Sequence, residues 1–423
     1  MKGSIGVVGG GISGVAATYY LTRSGYDVEL LEQGASLGGR MASARIGDDW
    51  VALGGKNVGT KNLRAREFME SMGACWEAFD ARWGLLRDGA VQRFDPAQVL
   101  ASATRRDSLL WASIYLLARL SPRDRRLGGP GFAVLSALFD SRCLDRYFSE
   151  TFARDLLAPM TLRMNGAETD ECYVGNLGSN LGMVLSSPMS QLRDGPHPVF
   201  ERFRETHKVL LGKPVDRLVL EAGRVVGVVR DNVERRYDRV VLATPASVSQ
   251  RLVEQIDREL AAVLGAVRYF PVGLVVAEYT EPVFTGEVTS LVFPPGSSPL
   301  SNIGVYGTHK RNLVRYTFSG KRARSLLATS PSADELLEIA EHELRRNTPL
   351  TLSPRGGHTA RIWMDGLCAY SSHQHRNERR IHARLARLPG LHVTGDYLRG
   401  AAIDTCFMAA DECARSVQRS FAA

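Results

Sequence analysis

The chain has 423 residues, and at about 150 residues per domain this predicts two or three domains with room for a sizeable core. Its 44% hydrophobic and 23% charged residues, with 41 Gly and 18 Pro, exclude a disordered, collagen-like or many-pass membrane chain. The net charge of +8 is too modest over this length to call for a nucleic acid partner, and only seven of the basic residues are lysines. Six cysteines lie far apart with no C-x-x-C, so neither a metal site nor a disulfide framework is signalled, and a reducing cytoplasm is expected. The start of the chain lacks the pattern of a secretory leader, and the longest apolar run, residues 109–120, falls short of the roughly 20 residues that a membrane span needs.

In chain order, Ile5, Gly6, Val7 and Val8 read as a short buried strand that runs into Gly9-Gly10-Gly11-Ile12-Ser13-Gly14. A helix over 15–24, a stop at Gly25 and a strand over 28–31 ending at Glu32 follow. This is G-x-G-x-x-G between a strand and a helix, with an acid 23 positions after its first glycine, and it predicts a dinucleotide site. Gly9 permits the tight turn, Gly11 lets the backbone approach a pyrophosphate, and Gly14 lets helix and strand pack closely. Ile12 and Ser13 stand at the helix N-terminus, whose N–H donors and dipole favour an anion. Glu32, followed by Gln33, is placed to accept hydrogen bonds from an adenosine ribose.

The next stretch, Gly34-Ala35-Ser36-Leu37-Gly38-Gly39-Arg40, is a second glycine turn that a nicotinamide dehydrogenase does not need. It resembles the L-G-G-R segment of FAD-dependent amine oxidases, protoporphyrinogen oxidases and phytoene desaturases. The resemblance implies FAD as cofactor, with Gly39 and Arg40 at its phosphates, where a guanidinium fork suits the oxygens. Leu53-Gly54-Gly55-Lys56-Asn57 then occupies the position where that family brings a glycine pair against the isoalloxazine ring, with Ala52 where an acid often stands. Lys56 and Asn57 would lie within reach of flavin N5/O4 or of a substrate carboxylate or carbonyl.

Residues 76–185 read as mostly helical, with a breaker at Gly128-Gly129-Pro130-Gly131. The run 109–120, with Trp111 and Tyr115, is apolar all round and predicts core or the lining of a substrate tunnel. With Arg119, Arg123, Arg125 and Arg126 behind it, docking to a membrane surface or an acidic carrier protein is the alternative. A strand hairpin is expected over 213–220 and 223–229, then a strand through Val240, Val241 and Leu242 to Ala243-Thr244-Pro245. This stretch resembles the family segment in which a valine like Val215 brackets the adenine and a strand ending at Ala243 rejoins the nucleotide sheet.

Residues 262–375 read as strands plus one helix over 333–347. Many amine oxidases carry a lysine on a substrate-domain strand, held through water to flavin N5; the corresponding stretch, 267–276, has none. Arg361-Ile362-Trp363 and Ala369-Tyr370-Ser371-Ser372-His373 resemble the family's tryptophan and P-x-Y-x-x-G-H segments. The resemblance makes Tyr370 an aromatic wall of the flavin site and His373 a proton relay. At the C-terminus a strand over 391–394 ends in Gly395-Asp396, which the resemblance puts at the ribityl chain or pyrophosphate. A helix beginning near Thr405 would point its N-terminus at the flavin pyrimidine, although Thr405-Cys406 and Ala409-Ala410 replace residues common in the family. Cys406 reads either as a thiol of lowered pKa or as a small residue packed beside the cofactor.

The expected fold is α/β, with a discontinuous Rossmann-like FAD-binding domain over 1–75, 190–255 and 385–423. An α+β substrate-binding domain with a mixed sheet and a helical insert would occupy 76–189 and 256–384. The expected activity is FAD-dependent removal of a hydride from a C–N or C–C bond of a small, partly hydrophobic substrate, with electrons passing to O2 or another acceptor. A flavin isomerase or mutase and a non-catalytic FAD-stabilised binding protein are the alternatives.

Overall fold

The computed structural model describes residues 2–80, 82–87, 90–120, 130–184 and 188–422. Arg123, Arg125, Arg126, Gly128 and Gly129 lie outside the described residues, as does the side chain of Arg119.

The apolar Ser4–Val8 segment is the middle strand of a five-stranded sheet ordered Lys208–Leu210, Asp27–Leu31, Ser4–Val8, Arg239–Leu242, Leu391–Val393. Every pairing in it is parallel. Parallel sheets are buried on both faces, which is why these strands are nearly continuous runs of Val, Ile and Leu. On one face, Ile12–Arg23 and Ile403–Ala422 pack together around Phe68, Phe203 and Phe407. The other face is covered by Ala246–Val253 and Arg258–Gly265 with the fully buried Tyr370 and Tyr397. From Ser4–Val8 the sheet grows in both directions, so its carboxyl end is the point where strand order reverses and ligands bind in such sheets. The expected hairpin forms as Arg217–Glu221 and Arg224–Arg230, and Val233–Arg236 joins it as a third strand.

A seven-stranded mixed sheet makes the second layer, ordered Arg355–Cys368, Tyr269–Tyr279, Leu313–Phe318, Leu300–Val305, Ser290–Val292, Trp83–Arg87, Ala90–Arg93. The helix Ala333–Asn347 forms as expected and starts with a reciprocal cap between Ser332 and Glu335. It buries Leu336, Leu337, Ala340 and Leu344 against Val275, Tyr316 and Phe318 of this sheet. The buried Glu341 is satisfied by the Tyr279 hydroxyl at 2.9 Å and by Arg345 and Arg355 at 2.7–2.8 Å. A small third sheet is ordered Asn57–Gly59, Met189–Leu192, Trp76–Phe79.

Residues 76–185 are mostly helical as expected, with one addition and one correction. The stretch opens with strands, Trp76–Phe79, Trp83–Arg87 and Ala90–Arg93, because Trp83–Arg87 finds a parallel partner in Ser290–Val292, some 200 residues away. The helix Arg105–Leu120 is not apolar core on all sides. Ile114 is fully buried against Phe132, Phe148 and Phe152, whereas Leu109 is 72% and Leu116 56% exposed. The buried Asp107 fixes this orientation. Desolvation pushes its carboxyl pKa up, but donors from Thr104 and Ser149 at 2.6–3.3 Å outweigh that and hold it below the usual range. Ile114→Ala should therefore lower unfolding stability by about 2–4 kcal/mol, while Leu116→Ala stays within about 0.5 kcal/mol of the parent in urea titrations.

Candidate functional site

Gly9 turns the chain at φ +105°, and a Cβ on Gly14 would stand 1.8 Å from the Gly9 carbonyl oxygen, so the helix can approach the strand only with glycine there. Nothing lies within 4 Å of where a Cβ on Gly11 would be, and no side chain caps the helix that follows. The first turn, with Ile12 and the buried Ser13, thus presents backbone donors to an open groove. Ala243 packs from the neighbouring strand directly against Gly9 and Gly14.

Glu32 ends the second strand, and its two carboxylate oxygens accept from the Gly10 and Gly34 N–H groups at 2.6 Å each. It pins both glycine turns together at the carboxyl edge of the sheet, with Gln33 exposed beside it. The Glu32 N–H donates to Leu210 and the Gly212 N–H to Gly34, which draws the segment containing half-buried Val215 to the same edge. The Gly38-Gly39 turn lies alongside, bridged to Gly11.

Arg40 is fixed at both ends. Its carbonyl accepts from Gly55 N–H at 2.9 Å, and a Cβ on Gly54 would meet that oxygen at 1.7 Å. Its guanidinium donates to Asp396 at 2.6 Å, and the other Asp396 oxygen accepts from the Tyr269 hydroxyl at 2.9 Å. Burial works against the Arg40 charge, but Asp396 overcomes this and raises its pKa above the ordinary value. The sequence placed Arg40 at the cofactor phosphates and Gly395-Asp396 at the ribityl chain or pyrophosphate; the fold joins Arg40 to Asp396, with Gly395 immediately before the paired carboxylate.

A cavity of about 200 Å³ opens between this region and the seven-stranded sheet, far more than the roughly 15 Å³ that one water needs by the same measure. Gly54, Gly55, Ala401, Ala402 and Ile403 form one side, and Phe79, Trp83 and Leu367 supply apolar wall. Lys56 lines it too. Its Nζ donates to Gln191 at 2.6 Å and to the Tyr306 carbonyl, and it stands 3.9 Å from the centre of the Phe79 ring. Burial, then Arg315 and Arg163, hold its pKa well below that of an ordinary lysine.

The other candidates fall elsewhere. Tyr370 is completely buried, with its hydroxyl toward the Asp396 carbonyl at 3.4 Å, and is not part of the cavity lining. His373 is likewise absent from the lining, and its Nδ1 is 3.2 Å from the Ser136 carbonyl. Thr405 donates its hydroxyl to the Gly400 and Ala402 carbonyls and closes the turn ahead of the last helix. The lowered-pKa reading of Cys406 is corrected: burial pushes this thiol up to about 12, and Ser13 offsets only part of that. Sequence reading passed over Arg163 and Arg315, both of which line the cavity. The available signal was Arg315 standing between Val314 and Tyr316 in a strand otherwise fit for a core.

The sequence model of the flavin-containing amine oxidoreductase family matches residues 12–418. The chain is 25% identical over 412 residues to the carotenoid phi-ring synthase of Streptomyces griseus, covering 83% of this chain and 75% of that protein. Among solved structures it is similar to cyclohexylamine oxidase from Brevibacterium oxydans, with a TM-score of 0.77, 16% identity and full coverage of both chains. It is also similar to putrescine oxidase bound to putrescine, with a TM-score of 0.74, 16% identity and 99% of each chain covered.

Gly14→Ala should yield folded but colourless protein, because the added methyl forces the helix away from the strand and opens the groove. The flavin-to-protein absorbance ratio after purification measures this.

Proposed function

Because the chain belongs to the flavin-containing amine oxidoreductase family and is an FAD-dependent oxidoreductase, we propose that it removes a hydride from a C–N or C–C bond of a small, partly hydrophobic substrate. The electrons leave to O2 or another acceptor. The names of its relatives span both bond types, a carotenoid ring synthase on one side and amine oxidases on the other. The chain fits FAD physically. Gly11 leaves open space beside an uncapped helix N-terminus, Glu32 and Val215 frame the adenosine end, and exposed Gly55 offers a surface without a side chain. Bound FAD supplies the two-electron sink.

One observation carries this reading. The glycine pair and residues 401–403 share a single cavity with the apolar wall of Phe79, Trp83 and Leu367. A substrate held there lies between the sheet and the ring site with little water, which favours hydride movement through positioning rather than through a protein nucleophile. Lys56 is the residue we assign to proton handling. Two of its positions are directed to Gln191 and Tyr306, and its depressed pKa makes a neutral amine accessible to accept a substrate proton.

The purified protein should be yellow, and anaerobic mixing with a substrate should bleach its visible flavin bands. Lys56→Met should slow that bleaching by about 100-fold without lowering FAD content. Only the unprotonated amine can act as base, so the parent rate should rise with pH through the depressed lysine pKa, and the variant should lose that rise. An unaltered rate and pH profile in the variant would remove Lys56 from the chemistry.

A further inference from the structure

We infer that the substrate of this cavity carries a carboxylate, and that Arg163 and Arg315 bind it. The inference deepens the hydride-transfer reading and rests on it. The described residues lining the cavity include three basic side chains, Lys56, Arg163 and Arg315, and no Asp or Glu. Neither arginine makes an ion pair or donates a hydrogen bond to any described residue, although the protein has more than two dozen ion pairs elsewhere. Glu77, which acts on the neighbouring Lys56, accepts the Gln191 amide donor. Both guanidinium groups are desolvated enough that their pKa values fall to about 10, Arg163 also being disfavoured by Arg315. Both arginines are half-buried at the cavity, and desolvated charges are ordinarily paired, so the partner missing among the described residues is one that a ligand would bring.

The sheet is shaped for it. Strand register sets Trp83, Ser290, Gly304 and Arg315 in one row across four neighbouring strands. A Cβ on Gly304 would lie 2.3 Å from the Ser290 hydroxyl oxygen, so the middle of the row is kept low between the two large side chains. Arg163 reaches in from the helix Ala158–Asn165 and lies over the Trp83 ring, its Cζ 4.2 Å from the centroid. Stacked this way, a guanidinium keeps its planar fork free at the edge, the geometry that receives a carboxylate through two N–H donors. Asn302 and Thr317, paired on the same strands and lining the cavity, add neutral polar groups beside it. A cationic amine would meet the two guanidinium charges and no carboxylate among the described lining residues.

The test uses the FAD-loaded protein and three probes of one size, benzoate, benzylamine and benzyl alcohol, followed by the change each causes in the visible flavin spectrum. Benzoate should bind at least about tenfold more tightly than either other probe, and Arg315→Gln and Arg163→Gln should each weaken it by about tenfold or more at unchanged FAD content. Arg315→Lys should recover part of the loss. Benzylamine binding as well as benzoate, or Gln variants with parental benzoate affinity, would overturn the inference. Should either Gln variant fail to retain FAD, the ranking of the three probes on the parent protein decides. The two readings fail separately. A flavin bleached by some compound but blind to benzoate overturns the carboxylate assignment, whereas one that senses benzoate but is bleached by no amine, carboxylate or polyene overturns hydride transfer.

Discussion

The Arg40–Asp396 ion pair holds together parts of the chain that are far apart in sequence. Arg40 follows the second glycine turn, Asp396 opens the short helix after the last strand of the parallel sheet, and Tyr269, which binds the same carboxylate, begins the longest central strand of the other sheet. The Arg40 backbone adds the Gly54–Gly55 turn, whose position depends on both residues lacking a Cβ near that carbonyl. The Asp396 side chain is only 4% exposed, so removing its partner would leave an uncompensated buried charge, a loss of about 3–5 kcal/mol. The spacing between the nucleotide groove and the cavity is thus set by electrostatics at one junction, with hydrophobic packing supporting it from either side.

At the cavity the charge logic is reversed. Arg40 is neutralised within the protein, whereas Arg163 and Arg315 stand desolvated in a wall with no acid among the described lining residues. Taking such a group out of water costs several kcal/mol even after relaxation. A fold tolerates that where the rest of the sheet is strongly packed, and here the opposite face carries the Ala333–Asn347 helix and its buried leucines. The stability invested in that packed face permits a poorly solvated, positively charged one.

How much of this was legible in the sequence follows from how local each feature is. The glycine turn, the helix behind it and Glu32 lie within 32 residues and obey a steric rule that any sequence must meet, so they read directly. The C-terminal Gly395-Asp396 was legible through resemblance, but its pairing with Arg40 was not, because no local spacing encodes a contact across 356 positions. Trp83 and Arg315 fall in one row only through strand register, and Trp83–Arg87 is a strand only because Ser290–Val292 is there to pair with it. The helix Arg105–Leu120 misled for a different reason. Composition shows that it is apolar, but the buried face is selected by Asp107 and Ser149, a polar contact between segments 42 positions apart.

The departures at the last helix show why replacing small residues there is tolerable. The cavity lining stops at Ile403, so Thr405 and Cys406 stand behind the wall and not on its surface. Thr405 ties its hydroxyl to the carbonyls of Gly400 and Ala402, doing with a side chain what a tighter backbone turn would otherwise do. Cys406 fills the space against Ser13, and with its thiol pushed up to about 12 it stays protonated and unreactive near neutral pH. What has to stay small is the lining itself. It is Ala401, Ala402 and the glycine pair, and these are the positions at which a larger side chain would fill the cavity we propose for the ring and the substrate.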